Sequence, residues 1–246
     1  MPETRPLYAV LIDADNIPAR FAKPILKEIT SFGEPALRRV YGDWSAERLR
    51  GWADNVRALG LVAHQETANT KGKNASDIGL VIDAMDILHT GRFDGFVLVS
   101  SDSDFTALAN RIREQGLDVI GIGEAKAPES LRNVCNRFVM IENIMDEPVA
   151  APKPDQPQVE GEAPAAPSGK KPPLEAVPLI LRAMDKIEQD DDEWYPLGPL
   201  GQYITADNPD FDVRSYGKRK LSDLVQDLKR FETRKQGNQL QVRRKD

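Results

Sequence analysis

Residues 7–16 read LYAVLIDADN and residues 96–105 read FVLVSSDSDF, so one pattern occurs twice in the chain. Each segment is an apolar run, rich in β-branched residues, that is followed by two aspartates separated by one residue. Short apolar runs of this kind indicate buried β-strands. A carboxylate just past the end of such a strand lies at the crevice where open α/β sheets bind their ligands. The pattern therefore predicts an α/β sheet with an acidic site at one edge.

Strand-like and helix-like segments alternate along the first part of the chain. The predicted strands are 8–13, 36–44, 61–65, 95–101, 117–123 and 137–141, and the predicted helices are 19–33, 46–60, 74–91, 105–116 and 128–135. Alternation with short connections favours a mainly parallel sheet, and right-handed crossovers place helices on both of its faces. We therefore predict a doubly wound, three-layer α/β domain in residues 1–147.

The chain changes character after this domain. Residues 148–173 are rich in Pro, Ala, Gln and Glu and contain no aromatic residue, which predicts a disordered linker. Residues 174–246 contain helical patterns and end in a segment that alternates around QGN like a β-hairpin. Three helices followed by a small β-wing predict a winged helix-turn-helix domain.

The composition limits the chemistry of any active site. Cys135 is the one cysteine, which excludes an internal disulfide and predicts a buried structural thiol. Because His64 and His89 are the only histidines, a metal site must have mainly oxygen ligands, and these favour Mg²⁺ or Mn²⁺. The chain has no basic-then-apolar signal pattern and no apolar run of about 18 residues. We expect a cytoplasmic protein with no membrane partner.

Charge is distributed unevenly along the chain, whose net charge is −6. Residues 1–147 contain 17 Lys and Arg against 22 acidic residues, a net charge of −5. Residues 213–245 contain 11 Lys and Arg against three acidic residues, a net charge of +8. This asymmetry suggests a polyanionic partner that one part holds and the other processes. The alternative is a solvated charged face on a helical domain.

Asp77 extends the acidic pattern to a third element, the helix predicted from residue 74. It lies on the apolar side of this helix, with Leu80, Val81, Ala84 and Leu88. An ionised side chain on an inward face is costly unless a cation or hydrogen bonds compensate it. Asp83 and Asp86 point away from this stripe, and we expect them to be solvated. A capping role remains open for Asp77 and for one member of each strand-end pair, such as Asp15 or Asp104.

Three segments carry a family resemblance, namely LIDADN (11–16), KGKNASDIGLVIDAM (71–85) and LVSSDSDFTALANRIREQGLDVIGIG (98–123). Together they resemble the NYN family of PIN-like, metal-dependent ribonucleases, and the resemblance spans about residues 5–145. It implies an acidic Mg²⁺ or Mn²⁺ site that hydrolyses RNA, formed by Asp13, Asp77, Asp102 and Asp104. It also implies that Asn16 positions substrate or a carboxylate.

Other readings of the acidic pairs explain the sequence less well. Phosphoryl transfer through an aspartyl nucleophile also begins with DxD after a first strand, but it expects Ser or Thr where this chain has Ile17. A P-loop requires a glycine-rich loop followed by Lys-Ser/Thr, and the chain has none. Lys71 and Lys73 precede Asp77 and either contact the RNA backbone or belong to a flexible basic loop.

Residues 194–228, WYPLGPLGQYITADNPDFDVRSYGKRKLSDLVQDL, resemble the OST-HTH or LOTUS domain, and the match runs from about 174 to 244. The resemblance implies binding of single-stranded or structured RNA, although some LOTUS domains bind protein helices, so a protein partner stays open. Trp194 and Tyr195 are expected to be core or lid residues, and the alternative is a platform for bases. The candidate RNA contacts are Arg214, Tyr216, Lys218, Arg219 and Lys220 before the last helix, with Arg234, Lys235, Arg243 and Arg244 on the wing.

We therefore predict a metal-dependent ribonuclease, cutting as an endoribonuclease, whose C-terminal module recruits RNA. The alternative is a non-catalytic RNA-binding adaptor or regulatory protein that retains the acidic pocket.

Overall fold

The computed structural model describes residues 5–65, 75–145, 170–187, 194–237 and 239–245. They form two compact units, one that reaches Ile144 and one that contains most residues from Lys170 onward. Residues 148–169 of the predicted linker lie outside the described residues, as do Lys71 and Lys73. In the described part of the chain, no helix has both the length and the apolar character needed to cross a membrane.

The first unit is built on one parallel sheet of six strands. The strands are β1 (Leu7–Asp13), β2 (Glu34–Gly42), β3 (Val62–Gln65), β4 (Gly95–Val99), β5 (Asp118–Gly123) and β6 (Arg137–Met140). Their order is β3-β2-β1-β4-β5-β6, and every neighbouring pair is parallel. This is the order of a doubly wound sheet, in which the winding direction reverses between β1 and β4. The predicted fold class is confirmed.

Helices cover both faces of this sheet. They are α1 (Ala22–Ile29), α2 (Arg50–Leu59), α3 (Ala75–His89), α4 (Thr106–Glu114), α5 (Glu129–Val134) and α6 (Ile141–Met145). Alternation along β1 sends Val10 and Ile12 into a core with α1 and α2, and Ala9 and Leu11 into a second core with α3, α4 and α5. Cys135 is buried in this second core, as expected. The short helix α6 replaces the end of the predicted last strand.

From Lys170 onward the elements are those of a winged helix. They are α7 (Val177–Met184), β7 (Tyr195–Pro196), α8 (Leu197–Asp207), α9 (Leu221–Asp227), β8 (Phe231–Gln236) and β9 (Gln239–Arg244). Strands β8 and β9 form the predicted hairpin, and β7 adds a short antiparallel strand on the other side of β9. Leu224, Val225 and Leu228 are buried, as their helical spacing predicts.

Candidate active site

The acidic residues lie where the strand order of the sheet reverses. Asp13 is the last residue of β1, and the register pairs Ile12 with Val99, the last residue of β4. The chain therefore leaves these two neighbouring strands side by side, at the carboxyl edge of the sheet. A switch point of this kind forms a crevice because the two connections turn toward opposite faces.

The Asp13 carboxylate has an exposed fraction of only 3%, and both of its oxygens accept hydrogen bonds. Oδ1 accepts from the backbone N–H groups of Asp15 and Asn16, at 3.1 Å each, and Oδ2 accepts from the Ser100 hydroxyl at 2.9 Å. Burial raises the pKa of Asp13 to about 7, the Ser100 hydrogen bond opposes this shift, and the charge of Asp77 adds to it. The protein thus compensates the charge of Asp13 only in part.

Asp102, after β4, caps a one-turn 3-10 helix that precedes α4. Its Oδ1 accepts the N–H of Asp104 at 3.0 Å, and its own N–H donates to the Ser100 hydroxyl at 3.1 Å. Asp13 and Asp102 therefore accept the backbone N–H groups, which corrects the expectation that capping falls to later residues of each pair. The reason is that an aspartate readily reaches the N–H two residues ahead. The described residues supply no hydrogen bond to Oδ2 of Asp102.

Asp77 lies half-buried in the first turn of α3. Burial raises the pKa of Asp77, and the charges of Asp102, Asp104 and Asp15 raise it further. Shifts of this kind arise when carboxylates lie near one another. The fold thus brings Asp13, Asp77, Asp102 and Asp104 to one edge of the sheet from three separate parts of the chain.

Asn16 and Asp15 hold the loop that follows β1. Asn16 Oδ1 accepts the N–H of Ser101 at 3.0 Å, which ties this loop to the loop after β4. Asp15 Oδ1 accepts from Arg48 Nη2 at 2.8 Å. The side-chain oxygen of Asn16 is therefore already bonded within the protein. The resemblance implies that Asn16 positions either substrate or a carboxylate, and this contact fits the second role, because Ser101 is the residue before Asp102.

Ser100 and Arg48 are site residues that the sequence analysis did not identify. Ser100 could have been predicted from the sequence, since it is a polar residue that follows the apolar run of β4 directly. Arg48 could not, because it reaches Asp15 from a separate 3-10 turn 33 residues further along the chain.

Asp83, expected to be solvated, is partly buried and pairs with two residues of β2. Arg39 and the Tyr41 hydroxyl both donate to its carboxylate oxygens. Burial opposes ionisation, but these hydrogen bonds outweigh it and hold the pKa of Asp83 below its usual range. The expectation that Asp83 is solvated was wrong. Helical periodicity identifies only the apolar side of α3, whereas the neighbouring side, which contains Asp83, also packs against β2. Asp83 thereby fixes the helix that carries Asp77.

The described residues contain no group of three acidic, histidine or cysteine side chains arranged to hold a metal ion. The four candidate aspartates nevertheless fit Mg²⁺ in their chemistry, since carboxylate oxygens are the ligands that this ion prefers. Mg²⁺ keeps several of its waters and binds proteins through only one or two carboxylates. A loose group of carboxylates therefore suits a hydrated Mg²⁺ ion better than it suits zinc.

Beyond Lys170, three of the candidate RNA contacts are engaged within the protein. Arg214 donates from Nε and Nη2 to the buried carboxylate of Asp212, at 3.0 and 2.7 Å. Lys218 Nζ lies 3.0 Å from Asp227. Tyr216 is only 6% exposed, so its ring packs in the core and is not available to stack on a base. The burial of Tyr216 corrects its predicted stacking role, and the RNA-binding role of Arg214 and Lys218 stays a prediction.

The wing divides its basic residues between two surroundings. The guanidinium groups of Arg234 and Arg243 lie over the Trp194 ring, 4.3 and 4.9 Å from its centroid. Trp194 and Tyr195 are buried, as expected. The exposed basic side chains at the start of α9 and on the wing include Arg219, Lys220, Lys235 and Arg244.

Two family models match this architecture. Residues 8–142 match the NYN domain, and residues 171–242 match the OST-HTH/LOTUS domain. Because the first match covers more than half of the chain, the chain belongs to the NYN family. Both resemblances predicted from the sequence are confirmed. The NYN domain belongs to the PIN-like nuclease superfamily, and the OST-HTH domain suggests RNA binding.

One solved structure supports the fold, and a second is similar over a shorter part of the chain. The crystal structure of a protein of unknown function from Vibrio parahaemolyticus is 20% identical, with a TM-score of 0.50, over 58% of this chain and 98% of that chain. An uncharacterized protein from Nitrosomonas europaea, solved by NMR, is 32% identical over 42% of this chain and 93% of that chain, with a TM-score of 0.26. A search of curated proteins found no match. At 20% identity, the first similarity shows the fold alone.

Proposed function

We propose that this chain is a metal-dependent ribonuclease in which residues 1–147 hydrolyse RNA and residues 174–246 recruit it. The observation that carries the proposal is the convergence of Asp13, Asp77, Asp102 and Asp104 at the switch point of the sheet. Burial and mutual charge raise the pKa of two of them, Asp13 and Asp77. A nearby cation would favour the ionised form of both carboxylates.

These four aspartates would hold Mg²⁺ or Mn²⁺. When bound, the ion supplies positive charge to the phosphate oxygens and lowers the pKa of a bound water. The protein's own part is to keep the carboxylates in place. Ser100 orients Asp13, and Asn16 ties the two loops together. Ligands that are already held in position need not reorganise during the reaction, and this lowers the free energy of the transition state.

RNA recruitment falls to the exposed basic residues of the second domain, Arg219, Lys220, Lys235 and Arg244. Lys71 and Lys73, just before Asp77 in the sequence, add candidate contacts on the first domain. Residues 148–173, as a linker, raise the effective concentration of RNA at the acidic site. We further propose that the enzyme cuts RNA internally and that it acts in the cytoplasm. A reducing compartment of this kind keeps a free thiol such as that of Cys135 reduced.

The deciding experiment compares wild type with Asp13→Asn and Asp102→Asn on linear and circular RNA, with Mg²⁺, Mn²⁺ or EDTA. We expect wild type to cut both RNAs only with metal, and each variant to lose about 100-fold or more of the rate. Circular RNA is opened only by internal cleavage. Asp86→Asn, the same substitution at an exposed position of α3, is the matched control. Mg²⁺ should also raise the Tm of wild type but not of Asp13→Asn.

Equal cleavage by wild type and both variants would refute the assigned site. A second candidate, an RNA-binding adaptor without catalysis, is favoured by one observation, the lack of a ready three-ligand metal group among the described residues. This candidate predicts RNA binding without cleavage and no effect of Mg²⁺ on Tm. The same set of variants therefore separates the two functions.

A further inference from the structure

An open apolar groove adjoins two of the proposed metal ligands. Its volume is about 310 Å³, and its lining residues are Asp77, Ile78, Val81, Ile82, Asp104 and Phe105. Ile78 and Ile82 are 60% and 59% exposed and lie one helical turn apart on α3. Single exposed aliphatic residues are common on protein surfaces. Here, however, two of them form one wall of a groove that contains two carboxylates.

The mixture of lining residues restricts what the groove can bind. A second copy of the chain, docked about a two-fold axis, would present the same patch and bring two sets of Asp77 and Asp104 together. An apolar helix of another protein would bury both carboxylates without a charge partner, which is costly. A nucleotide matches both parts of the groove, because its phosphate pairs with a cation at the carboxylates while its base has flat, weakly polar faces.

We propose that this groove binds the nucleobase next to the phosphodiester that is cleaved, with Ile78 and Ile82 against one face of the base. This inference rests on the proposed ribonuclease function. Ile78 and Ile82 have no hydrogen-bonding groups, so their contact is with the face of the base and not with its edges. The groove therefore accepts all four bases with similar affinity, because contact with a base face does not read the edge groups by which the bases differ. It selects for the presence of a base and not for its identity.

The test uses the full chain with the double substitution Ile78→Ser, Ile82→Ser. Substrates are a single-stranded RNA with one cleavage position and the same RNA with abasic residues placed in turn around that position. We expect the double variant to raise KM about tenfold or more on normal RNA, because the two side chains no longer bury apolar area against a base. On RNA that lacks the critical base, wild type and double variant should have the same KM. Val62→Ser, on the edge strand β3 and 55% exposed, is the control.

The outcomes separate this inference from the function on which it rests. If Asp13→Asn abolishes cleavage but the double variant cuts normal RNA with an unchanged KM, the groove proposal is refuted and the ribonuclease stands. If wild type cuts no RNA, fluorescence anisotropy of the same RNAs decides, and equal affinity of wild type and double variant overturns the proposal. A wild-type dimer that the double variant converts to a monomer also overturns it, because the groove would then bind a second copy.

Discussion

At the scale of single residues, the Ser100 hydroxyl is the point where the two acidic loops meet. It donates to Oδ2 of Asp13 and accepts the N–H of Asp102. A hydroxyl has one proton and two lone pairs, so it serves both partners at once. Ser100 thereby sets the position of two proposed metal ligands relative to each other.

We expect Ser100→Ala to weaken Mg²⁺ or Mn²⁺ binding about 10- to 100-fold, as loss of a partner behind a metal ligand does. The physical cause is that Asp13 loses the donor that orients it. The measurement is the metal concentration that produces half of the rise in Tm, together with the metal dependence of RNA cleavage. Ser103→Ala, at an exposed position three residues further on, should behave as wild type. The same metal affinity in Ser100→Ala and wild type would contradict this role.

At the scale of elements, the site depends on how α3 is held against β2. Asp83 joins the middle of α3 to Arg39 and Tyr41, while Asp77 at the start of the helix reaches the acidic site. A charge-assisted hydrogen bond is shorter and stronger than a neutral one, so the two donors fix the position of the Asp83 carboxylate. Stability and the geometry of the site are therefore linked through one helix.

Replacing Asp83 by Asn should lower the free energy of unfolding by about 1–3 kcal/mol at pH 7, because the amide keeps one acceptor oxygen, turns an NH₂ group toward the other donor, and carries no charge to pair with Arg39. The pKa of Asp83 is lower in the folded than in the unfolded protein. Its contribution is therefore complete above the unfolded pKa of about 3.9 and is lost as pH falls through the folded value. Urea denaturation at pH 7 and near pH 3.5 should give a difference that shrinks at the lower pH. Asp86→Asn is the control, and a difference independent of pH would contradict the ionic contribution.

At the scale of the whole molecule, the chain joins an acidic domain to one whose basic residues are concentrated in residues 213–245. The site that would cleave RNA carries negative charge and depends on a cation to approach phosphate, whereas the wing side carries exposed Lys and Arg. Division of labour of this kind lets one domain set affinity and the other set the rate of the chemical step.

Replacing both Arg219 and Lys220 by Ala should therefore raise KM for RNA and leave kcat unchanged. The dependence of log binding constant on log salt concentration should also become shallower, by about 0.7 for each lost contact with single-stranded RNA. Arg182→Ala, an exposed arginine on α7, is the control for loss of one positive charge. An unchanged salt slope would exclude these two residues from the RNA interface.

Much of the fold followed from local pattern. Strands buried on both faces require continuous apolar runs, which made β1 and β4 recognisable. The same runs predicted that Asp13 and Asp102 lie close to the ends of these strands, and Asp13 ends β1 while Asp102 lies three residues beyond β4. The sequence was less informative for side chains outside such runs. Tyr216 and Arg214 have the composition of an RNA surface, yet one is buried and the other is paired with Asp212.

The sequence by itself determined the class of fold, through the alternation of strand and helix patterns, and the acidic character of the sheet edge, through the two strand-and-aspartate segments. This was possible because the pattern of apolar and polar residues indicates which side chains are buried when the chain folds. Only the tertiary structure decided that β1 and β4 are neighbours, that Ser100 joins their loops, and that Asp83 anchors α3. Those contacts link residues 42 to 87 positions apart. Partners at such separations depend on the order of strands in the sheet, which no local periodicity encodes.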